Sequence, residues 1–290
     1  MKTIFRLLII SITFVFFSSC EDVVQIKLDE GSKLYVIDAF VNNLRANQVI
    51  RVVTNDSYFS NREAPPVTNA AVVLKDLNSN TQYNFAYTSN GNYVYTLANT
   101  DTISRIGHQY ELIVTIDGVT YRSLCLQKRT AILDSISATN DNGLGVIREY
   151  YNCFLWARDK VDQNSDYYWI KTFRNDTLFS DPGDLNTAID GTGGEVTSAD
   201  ADTLSFTPPA IFLGFNRYYS GDKCKVEIHS ISRETNNFLL QAVAQIQNGG
   251  LFATTPENVR TNIITPSEAK TKAIGWFNMA TVVTKTKIIP

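Results

Sequence analysis

From Lys33 onward the chain alternates apolar and polar positions with the two-residue period of β-strands. Leu34 and Val36, continuing into Ala39, Phe40 and Val41, mark a first strand; Val49–Val53 and Ala70–Leu74 mark the next two. Tyr83–Tyr87 and Tyr93–Leu97 flank Asn90-Gly91, a pair that supplies the two positive-φ positions of a tight hairpin turn. Asp117-Gly118 joins Gln109–Ile116 to Thr120–Leu126 in the same way. Short strands, frequent turn signals and no helical periodicity predict an immunoglobulin-like β-sandwich over residues 33–130.

The texture changes after that. Tyr150–Ala157, Tyr167–Arg174, Lys223–Ile231 and Ala273–Val283 read as strands. Residues 181–202 are rich in Asp and Gly, which predicts a long exposed loop. Phe206–Phe215 is apolar but carries Pro208 and Pro209. One helix is expected over Arg233–Gln247, where Phe238, Leu239, Ala242, Val243 and Ile246 recur at helical spacing. Ser232 can cap its start, and Gly249-Gly250 suits its end. Residues 131–290 are therefore read as a β-rich α+β domain, and the whole chain as mainly β.

The first 32 residues follow a different logic. Lys2 and Arg6 precede an almost wholly apolar run, Leu7–Phe17, of 11 residues. A helix of that length falls short of a hydrocarbon core about 30 Å thick, but it matches a signal-peptide core. Phe17-Ser18-Ser19-Cys20 then resembles a lipobox, which makes residues 1–19 a signal peptide and Cys20 the expected lipidated N-terminus. A lipid there anchors the protein to a membrane rather than threading it through one. Residues 20–32 form the tether, and Glu21-Asp22 resembles the surface-export signal of Bacteroidetes-type lipoproteins. The expected location is the outer membrane, on the cell surface rather than the periplasmic face.

Charge and composition narrow the function. Losing Lys2 and Arg6 with the signal peptide moves the formal net charge from −3 to −5, and no basic stripe is present, so nucleic acid is not an expected partner. Cys125, Cys153 and Cys224 remain after Cys20, without the close spacing of a zinc site. They are read as buried and inert. His108 and His229 stand apart, each read as a satisfied histidine near a strand. No nucleophile elbow, Walker loop or dinucleotide fingerprint occurs, so no catalytic residues and no cofactor are assigned.

Three candidate sites remain. Asp181, Asp184, Asp190, Glu195, Asp200 and Asp202 offer hard oxygen ligands suited to calcium, in a spacing unlike an EF-hand. Tyr58-Phe59 and Tyr218-Tyr219 are aromatic doublets, and in a strand one member of each faces outward, where it can stack on a sugar or fill an interface. Thr102, Ser135, Thr177 and Thr203 each follow Asp and precede an aliphatic residue, which resembles an O-glycosylation acceptor of Bacteroidetes-type exported proteins.

The order of several segments carries a family resemblance. Cys20-Glu21-Asp22-Val23-Val24, Lys33-Leu34-Tyr35-Val36-Ile37 and Pro66-Val67-Thr68-Asn69-Ala70-Ala71-Val72 resemble the opening of the lipoprotein family called domain of unknown function 4249. Gly91-Asn92-Tyr93, Gly107-His108-Gln109-Tyr110-Glu111-Leu112, Tyr167-Tyr168-Trp169-Ile170-Lys171 and Gly275-Trp276-Phe277-Asn278 continue the match. The resemblance implies an accessory role beside a TonB-dependent outer-membrane receptor and no catalytic site. The expected function is a binding or scaffolding lipoprotein in nutrient uptake. The alternative is a surface lipoprotein that captures a glycan or other nutrient ligand itself.

Overall fold

The computed structural model describes residues 31–57, 60, 62–98, 102–141, 145–158, 166–189, 204–205, 211–213, 216–248 and 259–290. Seven strands build the first half: β1 (Leu34–Asn42), β2 (Gln48–Thr54), β3 (Ala71–Asp76), β4 (Thr81–Ser89), β5 (Asn92–Tyr95), β6 (Gln109–Ile116) and β7 (Val119–Leu126). Their order in the sheet is β1-β2-β5-β4-β3-β6-β7. The first half of β4 pairs with β3 and its end pairs with β5, so the sheet folds over at this strand into two layers. Lettered A to G, the layers are A-B-E-D and C-F-G, the immunoglobulin constant-type arrangement.

Alternation explains which face each strand buries. In β1, Ile37, Ala39 and Val41 have no solvent exposure, while Val36, Asp38 and Phe40 face the other way. The same pattern in β6 buries Tyr110, Leu112, Val114 and Ile116. Each fully buried Val, Leu or Ile contributes roughly 1.5–3 kcal/mol of transfer free energy. The turns follow the expected chemistry, with φ of 50° and 80° at Asn90 and Gly91 and 49° and 81° at Asp117 and Gly118. A Cβ on Gly91 would stand 2.6 Å from the Val52 carbonyl oxygen, so the turn needs glycine for space as well as for φ.

The second half is also two-layered. One sheet holds β8 (Ile132–Asp141), β9 (Ile147–Arg158) and β14 (Ile211–Phe212). The other runs β13 (Leu204–Ser205), β12 (Asn186–Ile189), β10 (Tyr167–Arg174), β15 (Lys223–Ile231) and β17 (Val282–Ile288), with β11 (Thr177–Leu178) hairpinned onto β10. Leu155, Tyr168, Ile170, Val226 and Ile228 are among the side chains that fill the space between. The helix α1 (Arg233–Ile246) lies on the outer face, close to the predicted bounds. Ser232 caps it by accepting from the Thr235 N–H at 3.1 Å, and Glu234 complements the positive end of its dipole.

Three expectations need correction. The segment 181–202 is not one exposed loop: Pro182–Asp184 is a 3-10 turn, and β12 inserts Thr187, Ala188 and Ile189 into the sheet as buried residues. The apolar pair Ala188-Ile189 drives that insertion. The strand expected over Ala273–Val283 is two strands, β16 (Lys272–Ala280) and β17, which break at Thr281. Thr281 cannot continue either ladder, because its N–H donates to Ser230 Oγ at 2.8 Å while its carbonyl accepts from the Ser230 N–H at 2.9 Å.

The third correction concerns residue 130 as a boundary. β16 pairs parallel with β1 over nine residues, Leu34↔Lys272 to Asn42↔Ala280, and places Ala273, Phe277 and Met279 in the first core. β17 belongs to the second sheet system, so one short segment is shared between both halves. Residues 33–290 accordingly form one compact unit. β16 also meets the opposite edge of the first sandwich, since the Met279 N–H donates to Cys125 Sγ at 3.2 Å and Tyr121 donates to the Thr271 carbonyl at 2.7 Å. The two edges of the curled sheet are thereby drawn together, which shields them from pairing with other chains. Among the described residues no helix is long and apolar enough to cross a membrane.

Candidate functional site

Where the two sandwiches meet, alternate positions on three strands assemble a charged and aromatic cluster. Trp169, Lys171 and Phe173 project from the outer face of β10, opposite His229, Glu227 and Lys225 of β15. Asp38 and Phe40 come from the outward face of β1. The Lys171 ammonium sits 3.8 Å from the Trp169 ring centre, and Lys225 sits 3.8 Å from that of Phe173. Glu227 lies between two partners, with Lys225 Nζ at 3.0 Å and His229 Nε2 at 3.0 Å. Phe40 meets Trp169 edge-on at 5.4 Å, which carries the cluster across to the first sandwich.

Burial dominates the electrostatics. It holds the His229 imidazole below its ordinary pKa, although the hydrogen bond to Glu227 pulls the other way. Burial also lowers the Lys171 ammonium, against Glu227 and Asp38. Asp38 is open to solvent on one side yet crowded by protein elsewhere, and that desolvation raises its carboxyl against the pull of Lys171 and Arg51. For Glu227 the balance reverses: burial opposes ionisation, but hydrogen bonds from His229 and Lys225 win and keep its pKa low.

These shifts make a testable pH dependence. His229 is depressed in the folded state, so its stabilising contribution is full above pH 6.5, where the unfolded imidazole is neutral. It is lost as the pH falls below that value and the unfolded chain gains a proton that the folded one resists. His229→Gln is expected to lose less stability than the parent between pH 7 and pH 5, read from urea midpoints. Parallel curves for the two proteins would refute the assignment.

Chemically the cluster is a joint of opposite charges between the two sandwiches. It contains acids, bases and cation–π contacts. Beside it, a pocket of about 200 Å³ opens between β10, the 3-10 turn and α1. Trp169, Phe179, Leu185 and Val243 give it an apolar wall, and Lys171 stands at its edge. Ile246, on the expected apolar stripe of the helix, also lines this pocket and is 69% exposed.

A different surface follows β7. Leu124 and Leu126 are 50% and 54% exposed on the outer face of the first sandwich, beside Glu111 and Gln109 of β6. Ile264, 61% exposed, bridges to Arg122 at one end of this row, and Ile106, 60% exposed, lies at the other, where the next residue, Gly107, bonds to the Gln127 carbonyl. Leu124 and Leu126 are thus exposed on β7 itself, with Ile264 paired to Arg122 at one end of the strand and Ile106 in the turn near the other.

The residues singled out from sequence fall into three groups. Cys20, Tyr58, Phe59, Asp190, Glu195, Asp200, Asp202 and Thr203 lie outside the described residues. The Asp184 carboxylate is engaged on both oxygens: the Asp181 N–H donates to Asp184 Oδ2 at 3.1 Å, and Asn216 Nδ2 donates to Asp184 Oδ1 at 2.9 Å. Among the described residues no three of His, Cys, Asp or Glu group closely enough to hold a metal ion. Thr102, Ser135 and Thr177 are exposed, as modification requires.

Tyr218 is a correction. It is 1% exposed, its backbone bridges to Tyr151, and its hydroxyl donates to the Phe173 carbonyl, so it is core rather than a binding aromatic. Tyr219 faces out at 47% exposure, in a shallow basin with Arg148, Tyr150 and Arg217, where the Arg217 guanidinium stands 4.6 Å from the Tyr150 ring centre. His108 is satisfied by Asp76 at 2.8 Å. Burial opposes ionisation of that aspartate, but hydrogen bonds from His108, Ser79 and Asn78 bring its pKa down to about 2. The cluster around Glu227 was not anticipated. Its signal was the alternation of Trp169, Lys171 and Phe173 with apolar Tyr168 and Ile170, matched by Lys225, Glu227 and His229 on a second strand.

No curated protein matches the sequence. Among solved structures, the FN1–FN3 domains of chicken CNTN1 are similar at 9% sequence identity and a TM-score of 0.25, over 70% of this chain and 64% of that one. The model of the Domain of unknown function (DUF4249) family matches residues 21–286, nearly the full length, and the chain belongs to that family.

Proposed function

We propose that the protein is an accessory lipoprotein of the outer membrane, anchored through Cys20 at the cell surface, that docks on a TonB-dependent receptor and assists nutrient uptake. The observation that carries this reading is the exposed pair Leu124 and Leu126 on β7, with exposed Ile264 paired to the strand at Arg122. Scattered apolar residues are ordinary on a protein surface, but an aligned set rimmed by polar groups such as Arg122, Glu111 and Gln109 is the signature of an interface. The lipid would supply the location and the sandwich would supply the docking face.

The test is a mild-detergent pull-down of the tagged protein from its own membranes, with the bound proteins identified by mass. A TonB-dependent receptor in stoichiometric amount is the expected result. Leu124→Asp with Leu126→Asp should cut its recovery at least tenfold, since each buried leucine contributes about 1.5–3 kcal/mol and each aspartate adds a charge to be desolvated. Equal recovery with the double variant would remove this face from the reading.

A second reading has one observation in its favour. The pocket of about 200 Å³ beside Trp169 combines an apolar wall with a lysine at its edge, a combination suited to capturing a small ligand or sugar directly. Recovery of the lipoprotein without any receptor would favour this reading over docking.

A further inference from the structure

Cys153 on β9 and Cys224 on β15 belong to opposite sheets of the second sandwich, yet they occupy the same buried cluster, with exposures of 2% and 0%. Both are free thiols in this structure, close enough for each to shift the other's titration, with the Tyr218 hydroxyl beside Cys224. Cys125 is elsewhere, in the first sandwich, where its sulfur accepts the Met279 N–H. Three cysteines would allow three pairings in an unfolded chain. The folded chain brings only one pair together.

We propose that Cys153 and Cys224 are joined by a disulfide in the mature protein, tying the two sheets of the second sandwich across their core. The oxidant is a disulfide, either that of a thiol–disulfide oxidoreductase or a small-molecule one. The thiolate of one cysteine attacks a sulfur of that disulfide, forms a mixed disulfide and releases one thiol. The thiolate of the second cysteine then displaces the remaining sulfur, so a protein S–S bond forms and the electron pair ends on the oxidant, which leaves as two thiols carrying the two protons. The setting rests on the export reading, because a cytosolic compartment would keep both thiols reduced.

Burial fixes when this happens. The contact with Cys224, with burial added, raises the Cys153 thiol far above its ordinary range while the same contact lowers Cys224, and at 2% and 0% exposure neither sulfur can be reached by a second disulfide once the core has closed. Oxidation therefore precedes closure of the core, and the finished bridge is out of reach of reductants. The bridge also closes the intervening chain, which contains β10, β12 and the whole Asp-rich stretch, and so restricts the unfolded state. Cys125, with its thiol pushed up to about 11 by burial, remains unreactive.

The test is to refold the mature chain carrying Cys20→Ser, which removes the unlipidated N-terminal thiol, in a glutathione redox buffer, alkylate it under denaturing conditions without reduction, and map the cysteine peptides. The expected result is a linked Cys153–Cys224 pair with alkylation at Cys125 alone, and the same linkage in a Cys125→Ser variant. The native bridge should withstand millimolar dithiothreitol until denaturant is added, and its reduction should lower Tm by about 10 °C. Three alkylated cysteines after refolding, or any bridge to Cys125, would overturn the proposal. The same mapping on protein taken from cells separates it from the export reading. A bridged refolded chain beside a cellular chain that is reduced and keeps residues 1–19 would leave the pairing intact and defeat export.

Discussion

Gly275→Ala is expected to remove at least about 4 kcal/mol of stability and to leave the protein insoluble when expressed at 37 °C. Gly275 lies within β16, where φ is +114°, a conformation side chains rarely adopt. Its neighbour in the parallel ladder is Ile37 of β1. A Cβ built there would stand 2.0 Å from the Ile37 carbonyl oxygen, 2.8 Å from its carbonyl carbon and 2.9 Å from its nitrogen. All three contacts are backbone, so no rotamer change relieves them. The strands would have to separate at the point where the C-terminal segment enters the first core. Urea unfolding of whatever soluble protein can be recovered checks this, and a loss below 1 kcal/mol would contradict the described pairing.

Trp276→Ala comes next in size, at about 3–5 kcal/mol. Trp276 stacks on Phe238 of α1 with ring centres 4.5 Å apart and planes 17° from parallel. Its indole N–H donates to Thr235 Oγ1 at 2.9 Å, and that hydroxyl in turn donates to Asn278 Oδ1 at 3.0 Å. The substitution opens a cavity under the helix and takes the indole donor from Thr235, itself 2% exposed. Hydrogen exchange should then show α1 losing protection ahead of β1 and β6. Trp276→Phe keeps the stack and loses only the N–H, so its cost should be near 1–2 kcal/mol. Equal losses for the two variants would mean that the hydrogen bond, not the stacking, holds the helix in place.

These two residues show what could be read from the chain and what could not. The hairpins at Asn90-Gly91 and Asp117-Gly118 were legible because a positive-φ turn is a local requirement, met by two adjacent residues. The helix was legible for a similar reason: Ser232 and the spacing of Phe238, Leu239 and Ala242 lie within a few turns of one another. Gly275 looked like any glycine in an apolar run, because the atom it must avoid belongs to Ile37 near the other end of the sequence. The break at Thr281 was equally hidden, since it depends on Ser230. Tyr218 and Tyr219 read as equivalent aromatics until the Tyr151 bridge turned one inward. For the candidate surfaces, Leu124 and Leu126 were visible as strand residues, but only the pairing with β6 shows which side of the sheet they occupy.

The ladder between β1 and β16 also sets an order of events. Ribosomes and export channels deliver a chain from its N-terminus, so β1 emerges among the first segments while its partner strand, beginning at Lys272, is among the last. During that interval β1 can pair with β2, yet its other edge must wait with a full row of backbone donors and acceptors unclaimed. Contacts this distant in sequence make folding slow and leave a sticky intermediate. A chaperone that covers extended segments until residue 280 has arrived would therefore raise the yield of native protein. A chain truncated before Lys272 would be expected to aggregate through that open edge rather than fold as a smaller version of itself.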